Sequence, residues 1–379
     1  MAEKKTIKNP FVCQGYDGPE YFCDRMVETN EILSHFANGR NVTLVAPRRI
    51  GKTGLIWHVF HQLRMQSKDA LCLYLDIFAT KTQADFVRMF SKSVIENSLT
   101  KGRSIPSRIL EFFGSLRPVF SMDPLTGQPS VSVSLEPSQS EMTLKSIFDY
   151  LGVLKKDVYV AIDEFQQVAE YSEGGTEALL RSYIQFVPNI HFIFSGSKFH
   201  LMTEMFTSAQ RPFYHSTEFV NLQPLHEEIY FDFACELFRK KRGALSKEVF
   251  HALYQMFDGY TWYMQSVMNR LYEEYVSVKD VSQLNATLMN ILRGKSPQYE
   301  MLILFLTENQ FALLNAVAQE GIVAQPTGRK FIVRHRLPSA SSVQTALEVL
   351  QSRELLYRQP EGYIVYDRFL HYWLRHVYV

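Results

Sequence analysis

Asn41-Val-Thr-Leu-Val45 runs into Ala46-Pro-Arg-Arg-Ile-Gly-Lys-Thr53, and that loop into Leu55-Ile-Trp-His-Val-Phe-His-Gln-Leu63. The first piece is a short apolar run with strand character and the last has the pattern of a helix. Strand, loop, Gly-Lys-Thr and helix in that order are the layout of a P-loop, which holds nucleotide phosphates. Gly51 lets the backbone come close to the phosphates. The N–H groups at the helix start point at them with the positive end of the helix dipole. Lys52 is placed to set its ammonium on the β- and γ-phosphates, and Thr53 its hydroxyl on Mg²⁺. The phosphate-binding candidates are therefore Ala46, Pro47, Arg48, Arg49, Ile50, Gly51, Lys52, Thr53 and Gly54. Ala46 stands where the usual pattern has glycine; it is the smallest residue with a Cβ, and the broader pattern accepts it. A Gly-Lys-Thr turn before an ordinary helix is the plain alternative, and the context decides against it.

Asp157-Val-Tyr-Val-Ala-Ile-Asp-Glu164 is an apolar run ending in two carboxylates, as a central parallel strand should. Ligands of open α/β sheets bind at the carboxyl ends of the strands. Asp163 is read as a Mg²⁺ holder through its water shell, and Glu164 as the group that polarises the water attacking the γ-phosphate. Ala70-Leu-Cys-Leu-Tyr-Leu-Asp76 reads as a second strand, with Asp76 at the same edge. His191-Phe-Ile-Phe-Ser-Gly-Ser197 reads as another buried strand with a small polar end. In P-loop ATPases with an extra strand between the two Walker strands, such an end senses the γ-phosphate or the attacking water. Ser195 and Ser197 are the candidates here, against a plain Ser-Gly turn.

Tyr21-Phe-Cys-Asp-Arg25 with Glu31, then Pro-Arg-Arg-Ile-Gly-Lys-Thr53, Ile162-Asp-Glu-Phe-Gln166, Phe194-Ser-Gly-Ser197 and Arg211-Pro-Phe-Tyr214 follow one another in an order that resembles the archaeal/bacterial ATPase family. That family belongs to the AAA-like signal-transduction ATPases with numerous domains (STAND). The likeness runs from about residue 20 to 270 and less specifically to the C-terminus. It implies an ATP-dependent switch with an ATPase core, a helical lid and a C-terminal winged helix. Family members often carry Tyr-Gly-Arg after the Ser-Gly-Ser strand, whereas this chain has Tyr214-His-Ser216 and its nearest arginine is Arg211. An arginine finger accelerates turnover by orders of magnitude, so its absence implies a slow enzyme; Arg211 is the substitute candidate. The lid's Gly-x-Pro appears as Gly259-Tyr-Thr261, followed by Trp262 and Tyr263, which either cover a purine or pack in a core.

The chain of 379 residues, 46% hydrophobic and 13% aromatic, can fill several cores, and two or three domains are the length expectation. A net charge of +1 points to neither a nucleic-acid nor a membrane surface for the whole chain. No apolar run reaches 18 residues, and Met1-Ala-Glu-Lys-Lys5 is not followed by a signal core. Cys13, Cys23, Cys72 and Cys235 form no Cys-x-x-Cys pair and read as reduced thiols of a cytoplasmic protein. His58 and His61 share a helix face but have no third metal ligand near them in sequence.

Residues 41 to 222 alternate strand and helix patterns, which argues for a parallel sheet with helices on both faces. The expected fold is an α/β P-loop NTPase sheet of the extra-strand, AAA-like kind, with a helical lid and a winged helix. Residues 1–224 are assigned to the core, with a hairpin insertion near 117–135 around Asp-Pro-Leu-Thr-Gly; 225–298 to the lid; 299–379 to the winged helix. The second helix of that last domain, around Ser341–Leu350, carries Glu348 as its only charge. Protein contact, or packing back on the ATPase core, therefore suits it better than DNA, whose phosphates demand cations, although Arg329–Arg336 forms a basic stretch before it; a protein partner or self-association is expected for the chain. The reading is a slow or partner-activated Mg²⁺-ATPase acting on ATP and releasing ADP. A DNA-binding regulator and a non-hydrolysing nucleotide-bound scaffold are the alternatives. Intact Glu164 speaks against the scaffold, and Ser216 in place of arginine speaks for it.

Overall fold

The computed structural model describes residues 9–98, 117–122 and 129–378. The chain forms two compact units. In the unit Gln14–Leu225, the strands are β1 (Val42–Val45), β2 (Leu71–Asp76), β3 (Arg117–Met122), β4 (Pro129–Ser134), β5 (Val158–Asp163), β6 (Ile190–Gly196) and β7 (Glu218–Asn221). Five of them make one sheet in the order β2-β5-β6-β1-β7, every neighbouring pair parallel. All four residues of β1 and all seven of β6 are buried, as near-continuous apolar runs covered on both faces must be.

Side-chain alternation divides the core in two. Val42, Leu44, Ala161 and Ile193 pack with Ile32 and Phe36 of the helix Met26–Ala37 and with Leu55, Val59 and Phe60 of Lys52–Gln66. Val160, Ile162, Phe192 and Phe194 face the other way, onto Phe86 and Phe90 of Gln83–Ser98, Ile147 of Ser140–Gly152 and Met202 of Phe199–Thr207. Each such side chain contributes roughly 1.5–3 kcal/mol when withdrawn from water. Two helix-bearing faces thus fix the strand register, and the register brings Val45 opposite Gly196 and Asp76 opposite Asp163 at one sheet edge. β6 lies between β1 and β5, so the extra strand expected between the two motif strands is present. The insertion is an antiparallel hairpin, β3 on β4, with Arg117 opposite Ser134 and Met122 opposite Pro129. Its expected turn, Asp123 to Gly127, lies outside the described residues.

The other unit takes in the chain from His226 onward together with residues 9–13. Phe11 is fully buried, with its ring 5.8 Å from Phe238 and 5.7 Å from Tyr272. Asn9 Nδ2 donates to Asn269 O and Asn269 Nδ2 to Phe11 O, both at 2.8 Å. Sequence reading gave these residues to the core domain; their one large apolar side chain buries among helices instead. Helix starts here follow their caps: Ser246 for Lys247–Phe257, an Asp280/Gln283 capping box for Val281–Leu304, and a Thr307/Gln310 box for Glu308–Glu320.

Gly294 and Pro297 read as turn residues, yet the helix Val281–Leu304 passes through both. A proline inside a helix loses one backbone hydrogen bond. Here Trp373 Nε1 donates to Ser296 Oγ at 2.7 Å and Tyr299 packs on Trp373 at 5.5 Å, which offsets the loss. The basic stretch forms a helix, Arg329–Arg334, and both Arg334 Nη1 (2.6 Å) and His335 Nε2 (2.9 Å) lie on Glu320 Oε1. Ala340–Ser352 is followed by a hairpin of β8 (Leu356–Gln359) and β9 (Gly362–Val365) and by a last helix, Arg368–His376, capped by Asp367. That last helix ties the wing to the preceding bundle. The Arg368 N–H donates to Tyr263 Oη at 3.0 Å, Phe369 packs 5.4 Å from Phe257, and Tyr372 Oη donates to Met256 O at 3.0 Å.

His371, on the same helix, is 7% exposed. Burial, helped by Arg375, Arg368 and His376, pushes its pKa down from 6.5 to about 4. The unfolded chain therefore takes up a proton near pH 6.5 that the folded chain refuses until about pH 4, and the stability lost over that fall is up to about 3 kcal/mol. Unfolding free energies measured from pH 7 down to pH 4 should decline more steeply in the wild type than in His371→Gln.

Candidate functional site

The loop after β1 curls around Lys52. Ala46 and Ile50 are each 2% exposed and sit in the core, so the loop is anchored at both ends. Gly51 has φ 103°, a backbone that a Cβ disfavours, and starts the helix Lys52–Gln66. Lys52 Nζ donates to Ala46 O at 2.9 Å and to Pro47 O at 3.4 Å, which folds the ammonium into its own loop. Burial holds the Lys52 ammonium below the usual lysine range, with Asp163 and Glu164 opposing that shift and Arg48 adding to it. A buried cation beside the N-terminus of a long helix is an anion site.

Thr53, on the first turn of that helix, reaches across to β5. Its Oγ1 donates to Asp163 Oδ2 at 3.2 Å, and Tyr74 Oη donates to the same oxygen at 2.8 Å. Asp163 is 6% exposed. A hydroxyl and a carboxylate sharing one point, with few protein ligands, suit Mg²⁺, which keeps most of its waters. Thr53 and Asp163 are the residues that would hold it. Among the described residues no three His, Cys, Asp or Glu side chains gather to hold a metal by themselves. His58 instead lies 2.9 Å from Tyr16 Oη through Nδ1 and stacks on Phe22 at 4.5 Å.

Glu164 follows with φ 56°, a left-handed conformation that costs a non-glycine residue about 1–3 kcal/mol and turns its side chain off the strand. Its own N–H donates to Asp163 Oδ1 at 3.1 Å. Two groups fix the carboxylate: Ser197 Oγ donates to Oε2 at 2.7 Å and Gln166 Nε2 to the same oxygen at 2.5 Å. Arg48 Nε lies 4.0 Å from the other oxygen. Gly196 has no side chain for a steric reason, because a Cβ there would stand 2.3 Å from Gln166 Oε1.

The remaining sequence candidates fall in different places. Ser195 is fully buried and its Oγ meets no hydrogen-bond partner among the described residues, while Ser197, two residues on, touches Glu164. Arg211 is held by two carboxylates, with Nη1 on Glu177 at 2.9 Å and Nη2 on Glu204 at 2.8 Å. Asp76 stands opposite Asp163 in the ladder, and burial raises its pKa, with the charges of Asp163 and Glu164 adding to the rise. Tyr263, in the other unit, is 1% exposed and stacks on Phe257 at 5.4 Å, a core residue. Sequence reading missed two contributors, Tyr74 and Gln166. Each sat in a quoted motif. Tyr74 precedes Asp76 by two on one strand, hence on the same face.

Comparison with known proteins bears on the family and the fold. A family described as an ATPase domain predominantly from Archaea matches residues 22–267, and a probable winged helix domain matches residues 297–376. A search of curated proteins finds no match. Among solved structures, a Walker-type ATPase of Pyrococcus abyssi is similar at 17% identity and TM-score 0.65, over 97% of this chain and 99% of that one. The Aeropyrum pernix ORC1 protein, in complex with DNA, is similar at 14% identity and TM-score 0.55, over 97% and 96%. The ORC2 protein of the same organism, in ADPNP-ADP complexes, gives 13% and 0.52 over 93% and 92%. These structures share the fold, and the sequence match covers most of the chain: this protein belongs to the family of ATPase domains found predominantly in Archaea, followed by a winged helix.

Proposed function

We propose that this chain is a Mg²⁺-dependent switch ATPase of the AAA-like STAND group, cytoplasmic, slow on its own, and coupled to a protein partner or to self-association. The observation that carries the reading is the meeting of Thr53 with Asp163 beside buried Lys52, with Glu164 held one residue further on. Mg²⁺, where Thr53 and Asp163 would hold it, would supply positive charge to offset that of the phosphates. Lys52 leaves the carbonyls of Ala46 and Pro47 for the β- and γ-phosphates, a better acceptor pair for an ammonium. The loop amides and the helix N-terminus hold the phosphate chain. Glu164 accepts a proton from the attacking water while Ser197 and Gln166 keep its carboxylate aimed.

Slow turnover follows from arginine placement. Arg211, the one candidate for a finger near the Tyr-His-Ser sequence, already spends its guanidinium on Glu177 and Glu204. The switch output rests on the other unit: bonds from Tyr263 and Met256 to the last helix join the helices before residue 304 to the wing, so movement of one carries the other. The DNA-regulator reading has support from the ORC1 neighbour, whose structure is of a complex with DNA. Against it, Ala340–Ser352 bears Glu348 alone among charges, and Arg334 is paired with Glu320. Salt-sensitive duplex binding would select the DNA reading over protein contact.

Wild-type protein at high concentration should hydrolyse ATP weakly, and Glu164→Gln should lose about 100-fold or more of that rate while still binding nucleotide. Loss of binding in Glu164→Gln, or a rate that does not depend on Glu164, would remove the water-activating role. Arg211→Ala tests the other assignment. It leaves Glu177, 7% exposed, without its cation, and should lower stability by about 3 kcal/mol in unfolding experiments while changing turnover by less than about twofold. A large fall in turnover with unchanged stability would restore Arg211 as a finger.

A further inference from the structure

Arg25 stands at the end of the Tyr-Phe-Cys-Asp-Arg sequence, before the helix Met26–Ala37, and is only 5% exposed. A buried guanidinium persists only with partners. It has two: Nη1 donates to Glu28 Oε1 at 2.6 Å, and Nη2 donates to Ile50 O at 3.3 Å. Ile50 is the residue before Gly51. The Ile50 carbonyl and the Gly51 N–H belong to one planar peptide group and point in opposite directions. Whatever holds the carbonyl outward therefore holds the N–H inward.

That peptide needs holding. Gly51 lies at φ 103°, and a glycine rotates there at little cost, so the peptide before it can turn over more easily than any other in the loop. Turned over, it would present a carbonyl oxygen to the phosphates in place of an N–H, and anion binding at a helix start depends on that N–H. Among the described residues no backbone carbonyl accepts from the Gly51 N–H. We infer that Arg25 is a positioning residue of the phosphate site: its guanidinium, aimed by Glu28, locks the Ile50–Gly51 peptide with the N–H toward the phosphate chain. The inference rests on the nucleotide-binding reading above. It also gives the Tyr-Phe-Cys-Asp-Arg sequence a task that does not require Arg25 to touch nucleotide.

The test uses the full chain, with ATP and tripolyphosphate as ligands, the second having neither base nor sugar. Arg25→Ala should weaken both by the same factor, about 10- to 100-fold, the size of one hydrogen bond from a charged donor. Millimolar methylguanidinium, entering the space the side chain leaves, should restore much of the loss. Arg25→Lys, which keeps charge and stem but cannot fork between Glu28 and Ile50, should also bind weakly, and it carries the test if the alanine variant does not fold. Unchanged affinity in both variants, or a loss confined to ATP with tripolyphosphate binding intact, would overturn the assignment. Absence of ATP binding in the wild type would instead overturn the function on which it rests.

Discussion

Two hydroxyls, from Thr53 and Tyr74, converge on one oxygen of Asp163, and the rest of the site depends on that convergence. Thr53 belongs to the helix after β1, Tyr74 to β2 and Asp163 to β5, three elements far apart in sequence. They meet only because the sheet runs β2-β5-β6-β1, with the helix Lys52–Gln66 lying over that face. The core on each face is what pins the order. Slipping one strand by a residue would turn Asp163 to the opposite face and leave Phe194 or Ile162 facing the wrong layer.

From this point the electrostatics follow. Asp76, Asp163 and Glu164 crowd one sheet edge, and the rise in the Asp76 pKa comes from burial with the other two charges behind it. Lys52 answers that charge from within its loop, at a desolvation cost that lowers its own pKa. A site with three carboxylates and a buried ammonium gains when a divalent cation and a polyphosphate bind together, since each neutralises what the other leaves. The left-handed backbone of Glu164 is the local strain that this arrangement tolerates as its carboxylate turns away from Asp163.

Much of this was legible in the sequence because the signals were local. Gly-Lys-Thr after an apolar strand, and two carboxylates ending another, place Lys52, Thr53, Asp163 and Glu164 without any structure. What sequence could not supply was which residues act at a distance. Ser195 and Ser197 look alike on paper, but the first lies inside β6 and is buried in the sheet, while the second stands past the strand end and meets Glu164. Arg211 reads as a free cation until Glu177, from another helix, appears beside it. Gly294 and Pro297 suggest a break, and only the packing of Trp373 and Tyr299 explains a helix that runs through them. The last helix joins the wing to the preceding helices through partners more than 100 residues away in sequence, which no local pattern marks.

Calorimetric titration of ATP into the full chain, with Mg²⁺ and with EDTA, in wild type and in Asp163→Asn, separates metal-assisted nucleotide binding from binding without metal. One ATP per chain should bind, more tightly with Mg²⁺, and the variant should still bind ATP but lose the gain from Mg²⁺. No binding by the wild type, or the same Mg²⁺ dependence in both proteins, would contradict a Mg²⁺-assisted nucleotide site.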